Sequence, residues 1–197
     1  MNRVLITGSS GLLESNALNF FAKNYQVGAI YNKREIDVNL KNVKAFYLTK
    51  DSLNQIVNLF KPDIIINAAG LTNVEYCQKN HKQAFLANCF FAESIAKISR
   101  SLGIKFVHIS TDHLRSDNTK FRDESSIPDP INIYAESKLC AEQKVLNANN
   151  EAIIIRTNFF GWGPSYRNSF SDFIIFNLLQ KNNISLYKDV FFTPIHI

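Results

Sequence analysis

Tyr134-Ala135-Glu136-Ser137-Lys138 sets a phenol and an ammonium four residues apart. On a helix that spacing puts both side chains on one face. A phenol ordinarily ionises near pH 10, too high for ready proton exchange at neutrality. An ammonium ~4 Å away in a partly shielded site is worth up to ~4 kcal/mol, or about three pKa units. Lys138 is therefore expected to bring Tyr134 into range as a general acid/base. In His108-Ile109-Ser110-Thr111-Asp112, a hydroxyl could hydrogen-bond a substrate oxygen opposite the tyrosine. Taken singly, a YxxxK spacing also arises by accident on surface helices, and the second run is also an ordinary polar strand end.

Two small-residue turns point to a ligand with phosphates. In Thr7-Gly8-Ser9-Ser10-Gly11-Leu12-Leu13-Glu14, Gly8 and Gly11 let the backbone turn sharply and approach a pyrophosphate. The helix that follows offers free N–H groups and the positive end of its dipole to that anion. The same glycine pair also fits a plain strand–helix turn. In Asn67-Ala68-Ala69-Gly70, small side chains would let a cofactor lie flat across strand ends, or would simply ease packing.

These residues must be held by a frame, and the periodicity supplies one. Strands are expected at Arg3–Thr7, Gln26–Tyr31, Ala45–Leu48, Asp63–Asn67, Lys105–Ser110 and Ala152–Arg156. Helices are expected at Leu12–Lys23, Ser52–Phe60, Gln83–Leu102, Ile133–Asn147 and Asn168–Lys181, and a last strand at Ile184–Tyr187. The unbroken Ile64-Ile65-Ile66 run suits a strand covered on both faces. Strands alternating with helical crossovers predict an α/β fold, a Rossmann-type doubly wound parallel sheet. Ligands in that architecture sit at the carboxyl ends of the strands, where every motif above lies.

Composition narrows the classes further. At 197 residues the chain can bury a core without a metal or disulfide staple, and 46% hydrophobic content excludes a disordered chain. No apolar run approaches the ~18 residues of a membrane-spanning helix. Met1-Asn2-Arg3 leads straight into a strand, so no signal peptide is expected and a cytoplasmic location is. The net charge of +5 comes from scattered basic residues, which reads as a solvated surface; no nucleic acid and no membrane partner are expected. Cys77, Cys89 and Cys140 have no CxxC spacing and the histidines no HxxxH pair, so neither a disulfide framework nor a metal site is expected.

TGSSGLL, NAAG, STD and YAESK, in this order and on these elements, resemble the extended short-chain dehydrogenase/reductase superfamily. INAAGLTNVEYCQ, ISTDHL, YAESKLCAE and IIRTNFFGWG resemble its dTDP-4-dehydrorhamnose reductase (RmlD-like sugar-nucleotide-binding) group. The resemblance implies reduction of a keto group on a nucleotide-linked sugar, with Thr111, Tyr134 and Lys138 as the catalytic set and Asn88 supporting the lysine. It implies a dinucleotide held by Gly8, Ser10, Gly11, Leu12, Leu13, Ala68, Ala69 and Gly70, with Tyr134 and Lys138 at its nicotinamide end. Substrate contacts are implied for Thr111, Asp112, His113, Asn158 and Trp162. The second strand ends in Tyr31-Asn32-Lys33-Arg34 with no acid until Glu35; Lys33 and Arg34 suit a 2′-phosphate, so NADP is expected ahead of NAD. A homodimer through Gln83–Leu102 and Ile133–Asn147 is the default in such relatives.

The pattern is departed from in three places. Glu14 replaces the third glycine of GxxGxxG, which would either repel a pyrophosphate or turn to solvent. His113 stands where dehydratases of the superfamily carry Glu and reductases tend to carry Tyr. The resemblance also implies a chain about a third longer, so residues 1–197 read as one NAD(P)-binding domain, with 157–197 beginning the substrate-binding part. A non-catalytic dinucleotide-binding or regulatory subunit, or an epimerase or dehydratase, are the alternatives.

Overall fold

A computed structural model describes residues 1–36, 39–49, 52–114, 123–166, 168–186, 188 and 194–197. In chain order its elements begin with β1 (Arg3–Thr7), α1 (Leu12–Phe21), β2 (Gln26–Tyr31), β3 (Val43–Tyr47), α2 (Leu53–Phe60) and β4 (Ile64–Asn67). There follow α3 (Val74–Lys79), α4 (His81–Phe85), a π-helical turn at Leu86–Phe90, α5 (Phe91–Leu102) and β5 (Lys105–Ile109). The chain continues through α6 (Ile133–Ala148), β6 (Ile153–Ile155), β7 (Asn158–Phe160), α7 (Phe170–Leu179) and β8 (Pro194–His196). They fall into two compact units, 1–63 with 157–197, and 64–156.

In the first unit β1, β2 and β3 pair in parallel, with Leu5 opposite Gly28 and Gly28 opposite Lys44. Val4, Leu5, Ile6 and Thr7 are buried, as the apolar run requires. Gly28 packs closely: a Cβ there would lie 2.6 Å from Leu5 Cδ1 and 3.1 Å from the Phe60 ring, so these side chains would have to shift. Helix α2 stops because Lys61 turns left-handed (φ 50) just before Pro62. A second, two-stranded parallel sheet joins β7 to β8. Helix α7 begins on a capping box in which Ser169 and Asp172 each accept the other's backbone N–H. None of its residues is buried, and Phe170, Phe176, Leu178 and Leu179 are all exposed.

In the second unit β4, β5 and β6 pair in parallel, Ile64 opposite Lys105 and Val107 opposite Ile153. Helix α5 ends on Gly103 in the left-handed conformation (φ 65). Helix α6 begins where the Asn132 side chain accepts the Ala135 N–H at 2.9 Å.

Each unit thus carries strands that run outward from its first, as in one half of a doubly wound sheet. Three expectations need correction. The single helix expected over Gln83–Leu102 contains the π turn, which carries one extra residue per turn and re-aims Asn88 and Cys89 inward. No strand forms at 184–186, and Tyr187 lies outside the described residues; α3, β7 and β8 were not expected at all, being too short for a periodic pattern.

Candidate active site

In the second unit three elements deliver the predicted catalytic side chains. Helix α6 brings Tyr134 and Lys138 along one face, the end of β5 leads into Thr111, and the π turn carries Asn88. The Tyr134 ring packs on a buried cluster of Cys77, Ala84 and Ile133. That burial pushes its pKa above the ordinary value; the hydrogen bond with the Thr111 hydroxyl pulls it down, while the nearby Asp112 raises it. Thr111 is itself held, its Oγ1 accepting the His113 N–H at 3.2 Å. The His113 ring stands edge-on to Tyr134 with centroids 6.3 Å apart, and its Nε2 lies 3.8 Å from Asp112 Oδ1.

Lys138 differs from expectation. Its Nζ donates to the Ile109 carbonyl at 2.7 Å, and the side chain is buried. Burial lowers its pKa to about 8, opposed by the Glu142 carboxylate one turn further along α6. The phenol is not brought down: desolvation of the Tyr134 hydroxyl outweighs the pull of its Thr111 hydrogen bond, and the Asp112 charge adds to the rise.

Asn88 braces this arrangement. Its Oδ1 accepts the Leu71 N–H at 2.6 Å, and its Nδ2 donates to the Leu71 carbonyl at 3.1 Å and the Ser137 hydroxyl at 2.8 Å. One side chain so ties the turn after β4 to α6. Gly70 lies close beside it: a Cβ there would sit 3.1 Å from Asn88 Oδ1 and press on the brace. Asn88 thus reaches the residue next to Lys138 rather than the ammonium itself, and Ala68 and Ala69 lie half-buried between β4 and this brace.

The structure adds residues that the motifs did not single out. Glu142 is buried, accepts a short hydrogen bond from Ser110 Oγ, and is gripped by Arg156 through Nε at 3.0 Å and Nη2 at 2.7 Å. The i, i+4, i+8 spacing of Tyr134, Lys138 and Glu142 was the available signal. His108 is fully buried; its Nδ1 lies 3.0 Å from Asn67 Nδ2, and its Nε2 has no partner. Burial first, then the Lys138 charge, pushes its pKa down to about 3, so the ring is neutral. With the Asn67 amide donating, the proton sits on Nε2.

In the first unit Gly8 turns left-handed (φ 84), and the Gly8 and Ser9 N–H groups both donate to the Ile30 carbonyl at 3.1 and 2.9 Å. The Gly11 N–H closes the turn onto the Gly8 carbonyl at 2.8 Å. Helix α1 then starts with no side-chain cap, leaving its first turn, with Leu12 and Leu13, suited to an anion. Tyr166, another residue outside the motifs, donates to the Ser10 carbonyl at 2.9 Å, and the Arg34 guanidinium lies 4.2 Å over its ring. Arg34 is so gathered to the glycine turn, although it and Lys33 are both exposed. Trp162 is tied in through its carbonyl, which accepts from Asn16 Nδ2 at 3.0 Å. Asn158 opens β7, with its Oδ1 accepting the Phe159 N–H at 2.8 Å. The side chain of Glu14 lies outside the described residues.

Among the described residues no helix is long and apolar enough to cross a membrane. A family model described as RmlD substrate binding domain matches residues 1–197. The dTDP-4-dehydrorhamnose reductase of Aggregatibacter actinomycetemcomitans is 30% identical over 86% of this chain and 55% of its own length. The Methionine adenosyltransferase 2 subunit beta of Xenopus laevis is 26% identical over 95% of this chain and, again, 55% of its own. The chain thus spans about half the length of these curated relatives. The solved dTDP-4-dehydrorhamnose reductase of Bacillus anthracis, in complex with NADP, is 29% identical with a TM-score of 0.71, covering 93% of this chain and 62% of that one. The fold is the Rossmann-type doubly wound parallel sheet of that group.

Proposed function

The chain belongs to the RmlD substrate binding domain family, and on that footing we propose that it serves as an NADP-dependent reductase of a nucleotide-linked 4-keto sugar. The observation that carries this reading is the Tyr134 phenol, hydrogen-bonded by Thr111 and one helical turn from a buried Lys138. A phenol with a raised pKa stays protonated at neutral pH, which is the form a reduction needs. Thr111 orients the substrate carbonyl oxygen, and Tyr134 gives that oxygen its proton as negative charge develops there. Lys138 uses one N–H on the Ile109 carbonyl and keeps its others to hold a ribose hydroxyl. When bound, the reduced nicotinamide supplies the hydride. Gly8, Gly11, Leu12 and Leu13 suit its pyrophosphate, and Arg34, fixed over Tyr166, suits a 2′-phosphate. That the related reductase was solved with NADP supports the same cofactor here. A homodimer through residues 83–102, which include the π turn and α5, and through α6 belongs to this reading, supported by exposed Leu86, Phe90 and Leu146.

Titration with NADPH and NADH, followed by fluorescence, tests the cofactor; no binding of either at millimolar concentration would sink the proposal. With a 4-keto sugar nucleotide as substrate, Tyr134→Phe should lower turnover by about 10²–10⁴-fold in protein saturated with NADPH. A regulatory, non-catalytic subunit is the second reading, favoured by the likeness to a protein named as a subunit. NADPH binding without turnover of any 4-keto sugar nucleotide would select it.

A further inference from the structure

Cys89 and Cys140 lie on facing elements, the π turn and α6, with their sulfurs 2.6 Å apart. Cys89 is fully buried and Cys140 half-buried. Neither serves the proposed reduction, yet both flank residues that do: Cys89 follows Asn88, and Cys140 lies two residues beyond Lys138. The same elements are already joined by the Asn88–Ser137 hydrogen bond of 2.8 Å. Cys77, the remaining cysteine, is buried elsewhere, its thiol directed to the Leu71 carbonyl at 3.4 Å.

We propose that Cys89 and Cys140 are a redox modification site, closing to a reversible disulfide under a two-electron oxidant such as hydrogen peroxide. Closure asks the sulfurs to approach by only about half an ångström to reach the ~2.05 Å of the bond. Cys140, the less buried, reacts first: its thiolate attacks one peroxide oxygen, an S–O bond forms, the O–O bond breaks, and hydroxide leaves as water after taking a proton. The Cys89 sulfur then attacks the Cys140 sulfenic acid; the S–S bond forms, the S–O bond breaks, and the Cys89 proton leaves with the hydroxide as a second water. Two thiols and one peroxide give one disulfide and two waters. A small dithiol reverses the reaction by exchange.

The order of events follows from the environment. Burial first, then the hydrogen bond and charge of Cys140, push the Cys89 thiol up to about 12, against the Lys144 ammonium, which lowers it. The two contributions from Cys140 vanish once that sulfur is oxidised. Contact between the sulfurs then supplies a high effective concentration for the second step. The resulting clasp holds the π turn against α6 in the register that sets Lys138 on the Ile109 carbonyl.

Peroxide treatment of the 197-residue protein, followed by thiol counting in denaturant and peptide mass mapping, tests the proposal. The expected result is loss of two of the three thiols, a Cys89–Cys140 peptide, a mass lower by two hydrogens, and full reversal by dithiothreitol. The oxidised protein should melt about 5–10 °C higher, because the bond closes a loop of some fifty residues. Cys140→Ser should abolish the shift, and Cys89→Ala should leave a sulfenic acid at Cys140 that dimedone traps. A disulfide that involves Cys77 or joins two chains, or oxidation of Cys140 to the sulfinic acid with Cys89 still free in the wild type, would overturn it. Because the wild type carries the mapping, the result stands even where Cys89→Ala fails to fold.

Discussion

At the scale of single residues, the second unit places ionisable groups where water is absent, and two of them make stability depend on pH. His108 is neutral when folded, with a pKa pushed down to about 3, and takes a proton near pH 6.5 when unfolded. Its contribution is fully present above pH 6.5 and is lost as the pH falls towards 3. At pH 5 the loss is about 2 kcal/mol. His108→Gln, which keeps an acceptor for Asn67, should flatten this acid limb when urea midpoints are measured between pH 7 and 4. Lys138 works at the other end. Its folded pKa of about 8 lies below the ordinary lysine value, so folding is penalised while both states are charged. The penalty is relieved as the pH rises from 8 to 10.5. The wild type should therefore gain about 2 kcal/mol on Lys138→Met between pH 7 and 10 in paired denaturant titrations. Equal pH dependence of the two proteins would mean that Lys138 is solvated. The spacing of Tyr134 and Lys138 offered them as candidates, and the family resemblance joined Thr111 to them. The direction of the phenol's shift was not legible there, because its largest cause is burial on a cluster that includes Cys77 and Ala84, remote in the chain.

At the scale of elements, local patterns were read well where turn or capping residues bound them and badly where nothing in the pattern marks a break. Helix α6 starts at Ile133 as its Asn132 cap signals, and β1 and β2 match their expected bounds because apolar runs edged by turn residues leave little choice. The π turn could not be read, since one extra residue barely disturbs a helical pattern; yet it is what turns Asn88 and Cys89 inward. Close approach between elements was equally hidden. Gly28 looks unremarkable within β2, but Leu5 and Phe60 fill the space over it. Gly28→Ala should cost about 1–3 kcal/mol by overpacking, measured as a lowered urea midpoint with an unchanged slope. No loss of stability would mean that α2 slides freely on β2.

At the scale of the whole molecule, the apolar surface is unevenly spent. Helix α7 buries none of its residues, although Phe173 and Ile175 join Phe170, Phe176, Leu178 and Leu179 among its seven apolar residues of ten. An exposed apolar surface of this kind binds hydrophobic probes and promotes association. The 197-residue chain should enhance anilinonaphthalene sulfonate fluorescence and sediment faster as its concentration rises. Replacing Phe176 and Leu179 by Lys should suppress both, with the fold intact by circular dichroism. Concentration-independent sedimentation without dye binding would show that the helix finds cover within the chain.

What the sequence determined by itself is what local chemistry controls. The alternation of strands and helices sets the α/β class, glycines at 8 and 11 set the turn before α1, and a spacing of four puts Tyr134 and Lys138 on one face. These depend on a few bonded neighbours and on the helix period. The tertiary structure alone decided what surrounds them: Lys138 against the Ile109 carbonyl, Asn88 on Leu71 and Ser137, Arg34 over Tyr166, and sulfurs 51 residues apart brought into contact. Electrostatic energy depends on distance and on the exclusion of water, and both are fixed only when remote segments pack.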